Sequence, residues 1–253
     1  MDSSAIPIDA CTLELDAGNT RTKWRWLDAA DRTLDAGAWV RDSSTLPNWP
    51  PQAPGKTFRV RVVSVAGRAH DEALCTALGE VGLPTPVFAH ARTGQGRLVS
   101  GYRSPERLGA DRWVAMLAAS NRTEAPFLVV DAGSAVTVDL VDGDGCHVGG
   151  WIVPGLAMLR RVLLSETAGI RYGSHDVASD APGRSTADAV VGGTLHMIRD
   201  FVAARVADAR NSYPALEVFI TGGDGALLAS AIRGSADVVP ELVLDGLRHA
   251  VRD

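Results

Sequence analysis

Apolar and polar positions fall into two similar series along the chain. In the first, Thr12 to Asp16 is apolar and β-prone, KWRWLD (23–28) alternates, and TLDAGAWV (33–40) reads as a third strand. A proline-rich stretch, LPNWPPQAPG, reads as a loop. A strand at 60–65 (VRVVSV), a helix near 69–81, a short strand near 86–89 and a helix over 105–120 complete that series. In the second, residues 127–131 form a strand, 135–141 alternates, and HVGGWIVPG is a third strand ending at Pro154-Gly155. Helices follow at 156–165 and 185–207, then a buried strand (LEVFIT, 216–221), Gly222-Gly223, a helix, and a last helix in ELVLDGLRHAVRD. Each half is three strands followed by alternating helix and strand. The boundary falls in NRTEAP (121–126), dividing the chain into 1–123 and 124–253.

The first strand of each half ends in the same way. LELDAGNTRTKW puts Asp16, Ala17, Gly18, Asn19 and Thr20 after an apolar run. LVVDAGSAVTVDLV repeats the pattern with Asp131, Ala132, Gly133 and Ser134. Glycine removes the Cβ, so backbone N–H groups can approach phosphate oxygens. Thr or Ser adds a hydroxyl donor, and an Asp at a strand end can hold a hydrated Mg²⁺ or another cation. Either turn alone reads more simply as an ordinary hairpin; both at matching places point to a shared task. A duplicated β-β-β-α-β-α half is the plan of the actin, sugar-kinase and chaperone ATPase architecture. The expected fold is therefore α/β, with two duplicated ribonuclease-H-like, actin-like ATPase domains and a central cleft. Lys23, on the second strand of the first hairpin, is either a phosphate contact or an exposed strand lysine.

Other phosphate motifs are missing. QAPGKT (52–57) lacks the P-loop glycine, because Pro50 stands in its place. GQGRLV (94–99) lacks the third glycine of a dinucleotide fingerprint, and neither HExxH nor GxSxG occurs.

A third constellation is GYRSPERLGADRWVAMLAA (101–119). Gly109 is an odd residue inside a helix, where glycine costs about 1 kcal/mol relative to alanine. Something must approach the backbone there. Asp111 is either a carboxylate poised as a general base at a helix start or a partner of Arg107 or Arg112 on a solvated face.

Composition narrows the class. With 46% hydrophobic and 22% charged residues, the chain can bury a core and remain soluble. A net charge of −5 argues against a protein held to nucleic acid mainly by phosphate contacts, but not against binding a small anion. Cys11, Cys75 and Cys146 are scattered and form no CxxC pair, which suggests neither a disulfide framework nor a zinc site. MDSSAIPIDA does not read as a signal peptide, and no run approaches the roughly 20 apolar residues of a membrane span. The expected location is the cytoplasm, with neither nucleic acid nor membrane as a partner.

DAGNTRTK, GYRSPERLGADRW, DAGSAVTVD, GGWIVPGLAML and GRSTADAVVGG occur in this order from Leu13 to about Gly223. Together they resemble type III pantothenate kinase, whose relatives include the Bvg accessory factor. The resemblance implies ATP-dependent phosphorylation of pantothenate to 4′-phosphopantothenate, the first committed step of coenzyme A synthesis. It implies a cytoplasmic homodimer that needs Mg²⁺ with ATP and a monovalent cation, K⁺ or NH₄⁺. It makes Asp16, Ala17, Gly18, Asn19, Thr20, Arg21, Thr22 and Lys23 the first ATP phosphate loop, with Ser134 as a further ATP contact where the family more often has Thr. Asp111 matches the proton acceptor. Tyr102 with Gly109, Ala110, Asp111 and Arg112 lines the pantothenate site, and Thr186 matches a substrate-binding threonine supplied across the dimer interface. Asp131 matches the monovalent-cation ligand, and ITGGDG (220–225) resembles an adenosine-side loop. Arg112 either binds the substrate carboxylate or orients Asp111.

Two rival functions stay open at this level. Another kinase of the same architecture would use a different hydroxyl acceptor. A non-enzymatic regulator would have no need of Asp111, Asp131 and Lys23. The segments 151–164 and 189–206 are apolar on more than one helical face, so either a partner subunit or the second half itself covers them.

Overall fold

The computed structural model describes residues 11–40, 58–171 and 181–251. The proline-rich loop and QAPGKT lie outside the described residues. The chain divides into two units, Met1–Asn121 with Leu242–Asp253, and Arg122–Glu241.

In the first unit, β1 (Thr12–Ala17), β2 (Arg21–Leu27) and β3 (Thr33–Val40) form an antiparallel meander. β4 (Arg59–Ser64) then pairs parallel to β1, and β5 (Val87–Phe88) parallel to β4, giving the order β3-β2-β1-β4-β5. The period-2 alternation decides which residues face which layer. Leu13, Leu15, Trp24, Trp26, Val60 and Val62 form one core with Leu74 and Leu78 of α1 (Arg68–Glu80). Burying each such side chain fully is worth about 1.5–3 kcal/mol. Trp26 and Phe58 meet edge to face at 5.8 Å.

Residues 94–99 form a small hairpin, β6 (Gly94–Gln95) and β7 (Leu98–Val99). The helix expected over 105–120 is interrupted. Pro105–Arg107 is a single 3-10 turn, Leu108 is extended, and α2 (Ala110–Ser120) starts afresh from Gly109. Gly109 is therefore the residue that caps α2, not a glycine inside a helix.

The second unit repeats the plan. β8 (Phe127–Ala132), β9 (Ala135–Val141) and β10 (His147–Pro154) are antiparallel, followed by α3 (Leu156–Glu166) and α4 (Thr186–Ser212). β11 (Glu217–Thr221) pairs parallel to β8, α5 (Gly225–Ala229) follows, and β12 (Asp237–Val238) completes the order β10-β9-β8-β11-β12. α4 buries Leu195, Ile198, Val202 and Val206 against Leu128, Val130 and Val218 of the sheet. Its start is capped: Ser185 Oγ accepts the Asp188 N–H at 3.0 Å, and the Asp188 carboxylate accepts from the Arg184 N–H at 3.3 Å. α3 buries only Leu156 completely. Val148, Trp151 and Ile152 on β10, Val162 on α3 and Met197 on α4 are all exposed.

The chain then returns to the first unit. α6 (Leu242–Ala250), counted with the second half in the sequence reading, packs on α2 and on the first sheet. Along the chain the first unit runs to Asn121 and the second begins at Arg122. Reading along the chain could not assign α6 to the first unit, because that packing brings together residues far apart in sequence.

Candidate active site

Most of the candidate residues fall into three groups, two within the first unit and one within the second. The first is the turn joining β1 to β2. Asp16 and Lys23 are direct cross-strand partners, so both side chains stand on one face, and each is half-buried. On its other side Asp16 is in register with Val63 of β4. Ala17 and Thr22 close the ladder beneath the turn, and both are fully buried. Asn19, Thr20 and Arg21 are exposed above it. The Gly18 N–H donates to Arg21 O at 3.1 Å, and a Cβ on Gly18 would stand 3.1 Å from that same oxygen. Glycine lets this turn close tightly.

The second group is the start of α2. A Cβ at Gly109 would lie 2.7 Å from Asp111 Oδ1. The group that must approach the backbone there is thus the Asp111 carboxylate, folded back over the helix start. Oδ1 accepts the Arg112 main-chain N–H at 2.8 Å, which helps to orient the carboxylate. Ala110 and Asp111 are half-buried. The Arg112 guanidinium is buried, donates from Nη1 to Tyr102 Oη at 2.7 Å, and sits 5.6 Å from the Tyr102 ring centre. Asp111, Arg112 and Tyr102 thus form one assembly.

The third group lies in the second unit, at the end of β8. Asp131 is in register with Thr137 of β9 on one side and Thr221 of β11 on the other. The Gly133 N–H donates to Ala135 O at 3.0 Å, closing the turn around half-buried Ser134. Two further glycines press on this turn. Gly155, at the end of the third strand, donates its N–H to Ser134 O at 3.0 Å, and a Cβ there would stand 2.4 Å from Gly133 O. Gly222 has φ 88°, and a Cβ on it would stand 2.5 Å from the Ala132 carbonyl and 2.6 Å from Asp131 Oδ1. The ITGGDG loop is therefore packed against Asp131. The sequence reading named ITGGDG, which contains Thr221, and the strand end Pro154-Gly155, but gave Thr137, Thr221 and Gly155 no role beside Asp131. The signal was present as a hydroxyl at the carboxylate's level on each flanking strand and a glycine closing the third strand.

Thr186 is exposed and is the first residue of α4. Gly183 folds against that first turn, where a Cβ would stand 2.3 Å from the Ala189 nitrogen. This accounts for the first glycine in GRSTADAVVGG. Among the described residues, no cluster of three or more His, Cys, Asp or Glu side chains could hold a metal by itself. No described helix is long and apolar enough to cross a membrane.

Two mixed sheets of this order, each with a polar glycine turn after its first strand, define an α/β protein of the actin-like and sugar-kinase ATPase class. Solved structures agree on the fold. A Baf-family protein from Campylobacter jejuni superposes with TM-score 0.59 at 22% identity, over 93% of this chain and 95% of its own. A protein from Sinorhizobium meliloti assigned as a 2-dehydro-3-deoxygalactonokinase gives 0.58 at 14% identity, over 94% and 97%.

The sequence comparisons are more specific. The type III pantothenate kinase family model matches residues 12–208. The type III pantothenate kinase of Ectopseudomonas mendocina is 42% identical over 245 residues, covering 94% of this chain and 98% of the relative. That of Azotobacter vinelandii is 40% identical over 248 residues, covering 94% and 97%. The chain belongs to the type III pantothenate kinase family.

Proposed function

We propose that this chain transfers the γ-phosphoryl group of ATP to the primary hydroxyl of pantothenate, giving 4′-phosphopantothenate for coenzyme A synthesis in the cytoplasm. The observation that carries the chemistry is the Gly109 notch, which lets the Asp111 carboxylate fold over the start of α2 beside the Tyr102–Arg112 pair.

Phosphoryl transfer asks little covalent chemistry of the protein; it asks for positioning and charge compensation. Asp111 accepts the proton of the attacking hydroxyl. The bond from the Arg112 main chain fixes its carboxylate plane before substrate arrives. Arg112 has five N–H donors in a planar fork, and its bond to Tyr102 sets the orientation of that fork. A planar fork of this kind matches a carboxylate, which supports the substrate carboxylate as its ligand. The turn from Asp16 to Lys23 binds the ATP phosphates through main-chain N–H groups, the Thr20 hydroxyl and the Lys23 ammonium.

The residues fit the two cations that the family implies. Mg²⁺ enters with ATP, and Asp16 is the carboxylate nearest in sequence to the phosphate-binding amides. Asp131 stands in register with two threonines and against the main chain of ITGGDG, an oxygen-rich setting that suits a hard monovalent cation. K⁺ or NH₄⁺ held there would offset phosphate charge, and Ser134 would offer a hydroxyl to ATP.

A coupled assay with ATP and pantothenate, with and without K⁺, tests the reading, together with a panel of other hydroxyl acceptors. Asp111→Asn is expected to keep the fold and lose about 10²–10⁴-fold in turnover, the usual contribution of a general base. Turnover within a few-fold of wild type at saturating substrates would remove Asp111 from this role.

We also propose a homodimer in which Thr186 completes the partner's pantothenate site. The exposed Trp151, Ile152, Val162 and Met197 support it, because these apolar side chains on β10, α3 and α4 are only partly covered by the described residues. Mixing Asp111→Asn with Thr186→Arg under subunit exchange then generates one intact site per heterodimer. Recovery of about half the wild-type activity per heterodimer is expected from the symmetry of an isologous interface. A monomer by light scattering, or no recovery after verified exchange, would count against it.

A further inference from the structure

We infer that the C-terminal helix α6 positions the candidate base, with Asp245 and Gly246 as positioning residues for Asp111. The inference rests on the reading of Asp111 as the proton acceptor. It comes from a chain of close contacts, all within the first unit, that runs from β1 through α6 to α2.

The chain begins at Glu14, two residues before Asp16 on β1 and wholly buried. Its carboxylate accepts Arg25 Nε at 2.7 Å and Arg61 Nη1 at 3.3 Å, from the strands on either side. Burial pushes the Glu14 carboxyl above its ordinary value, and the two guanidiniums pull it back. Arg25 then reaches out of the sheet, and its Nη1 donates to Asp245 Oδ1 on α6 at 2.7 Å. Two acids and two arginines balance one another. The next residue, Gly246, meets α2: a Cβ there would stand 2.0 Å from the Val114 carbonyl oxygen. Val114 lies one helical turn beyond Asp111. At its other end α6 is held by Gln95 of β6, whose Nε2 donates to His249 O at 2.6 Å and to Ala250 O at 3.3 Å. α6 is thus held in its first turn and at its C-terminal end, and α2 is seated on its glycine.

The consequence is mechanical. The strand carrying Asp16 and the helix carrying Asp111 are tied through one helix, so the distance of α6 from the sheet sets where the base stands. Misplacing a reacting group by about 1 Å can cost as much as 100-fold in rate. Asp245→Ala is the mild way to loosen the tie, because Arg25 keeps its buried partner Glu14. Gly246→Ala is the severe way, because the added methyl must displace α2.

The test is a double-mutant cycle read as kcat per folded molecule, well below the melting temperature. Asp245→Ala is expected to lower kcat about 10-fold with KM for ATP unchanged, and Gly246→Ala to lower it further. On the Asp111→Asn background, Asp245→Ala is expected to cost less than about 2-fold, since no base is left to position. A lower melting temperature with unchanged kcat would mean that α6 only stabilises the unit, and would overturn the inference. So would a full 10-fold loss on top of Asp111→Asn. If Asp111→Asn itself keeps near wild-type turnover, the base assignment fails and the inference fails with it. If Asp245→Ala does not fold, Gln95→Leu loosens the other end of the helix and is read by the same criteria.

Discussion

The two hairpin turns are copies of one design with different charges. In the first unit, Asp16 faces Lys23 across the ladder and Val63 on its other side. In the second, Asp131 faces Thr137 and Thr221 at the equivalent places. The turns differ in length as well. Ala17 pairs with Thr22, leaving Gly18 to Arg21 in the loop, whereas Ala132 pairs with Val136, leaving only Gly133 to Ala135. The longer turn exposes Asn19, Thr20 and Arg21; the shorter one is pressed by Gly155 and Gly222. Duplication has kept the carboxylate and the glycine and changed what stands opposite. One turn carries its own cation at the cross-strand position, and the other presents hydroxyls there. This is the physical ground on which phosphate binding is proposed for the first turn and a borrowed cation for the second.

The largest contrast lies just beyond the central parallel strand of each sheet. Gly67, after β4, has φ 93°, and a Cβ on it would meet nothing within 4 Å. Gly222, after β11, has φ 88°, and a Cβ on it would overlap the Ala132 main chain and the Asp131 carboxylate. Alanine at either place costs about 1–3 kcal/mol in backbone strain. Only at Gly222 does overlap with rigid backbone add about 1–3 kcal/mol more. Gly222→Ala is expected to lower the melting temperature more than Gly67→Ala does. It is also expected to remove about 100-fold or more of turnover, because a 1 Å shift at Asp131 suffices for that. Thermal denaturation and rate measurements on the pair check it. Equal behaviour of the two variants would erase the distinction.

The two carboxylates are separated by their response to salt. Asp131→Ala is expected to abolish the difference between K⁺ and Na⁺ buffers, with a loss of about 10–100-fold in K⁺, the range seen when a metal site is disturbed. Asp16→Ala is expected to weaken Mg·ATP use while keeping the K⁺ to Na⁺ ratio of the parent. Rates of both variants in the two salts decide the matter. A K⁺ response that survives in Asp131→Ala would move the cation elsewhere.

Much of this arrangement was legible in the sequence, and the reasons for success and failure are physical. β3 and β9 fall at 33–40 and 135–141 as expected; alternation marks β9, whose Val136 and Val138 are buried, whereas β3 has no buried residue. The two Asp-Ala-Gly turns were visible because turn chemistry is local. What could not be read depends on long-range packing. Gly109 looked like a glycine inside a helix; it caps one, because the Asp111 carboxylate needs its space. The β6–β7 hairpin is too short to show a period. Glu14, Arg25, Arg61 and Asp245 sit far apart in the chain, and only the sheet register and the return of α6 bring them together. Gly222 and Gly155 were placed in turns, but their pressure on the second hairpin appears only when three strand ends converge.

The smallest effect is also the sharpest test, because it tries to convert one turn into the other. Thr137 stands opposite Asp131 as Lys23 stands opposite Asp16, and all four side chains are half-buried. Thr137→Lys therefore writes the first unit's charge pair into the second. The fold should accept it. An opposite-charge cross-strand pair contributes about 0.2–1 kcal/mol, and a lysine stem can carry its ammonium toward water. If the second turn needs a positive charge and takes it from solution, a tethered ammonium at that position supplies it. Rates in Na⁺ are then expected to rise toward those in K⁺, so that their ratio approaches one. The maximal rate is expected to fall by a few-fold, because the ammonium cannot adopt the coordination of a free ion. A ratio unchanged from wild type, in a variant with intact stability, would show that the residue opposite Asp131 has no part in cation dependence. The charge difference between the two turns would then be an accident of duplication rather than a division of labour.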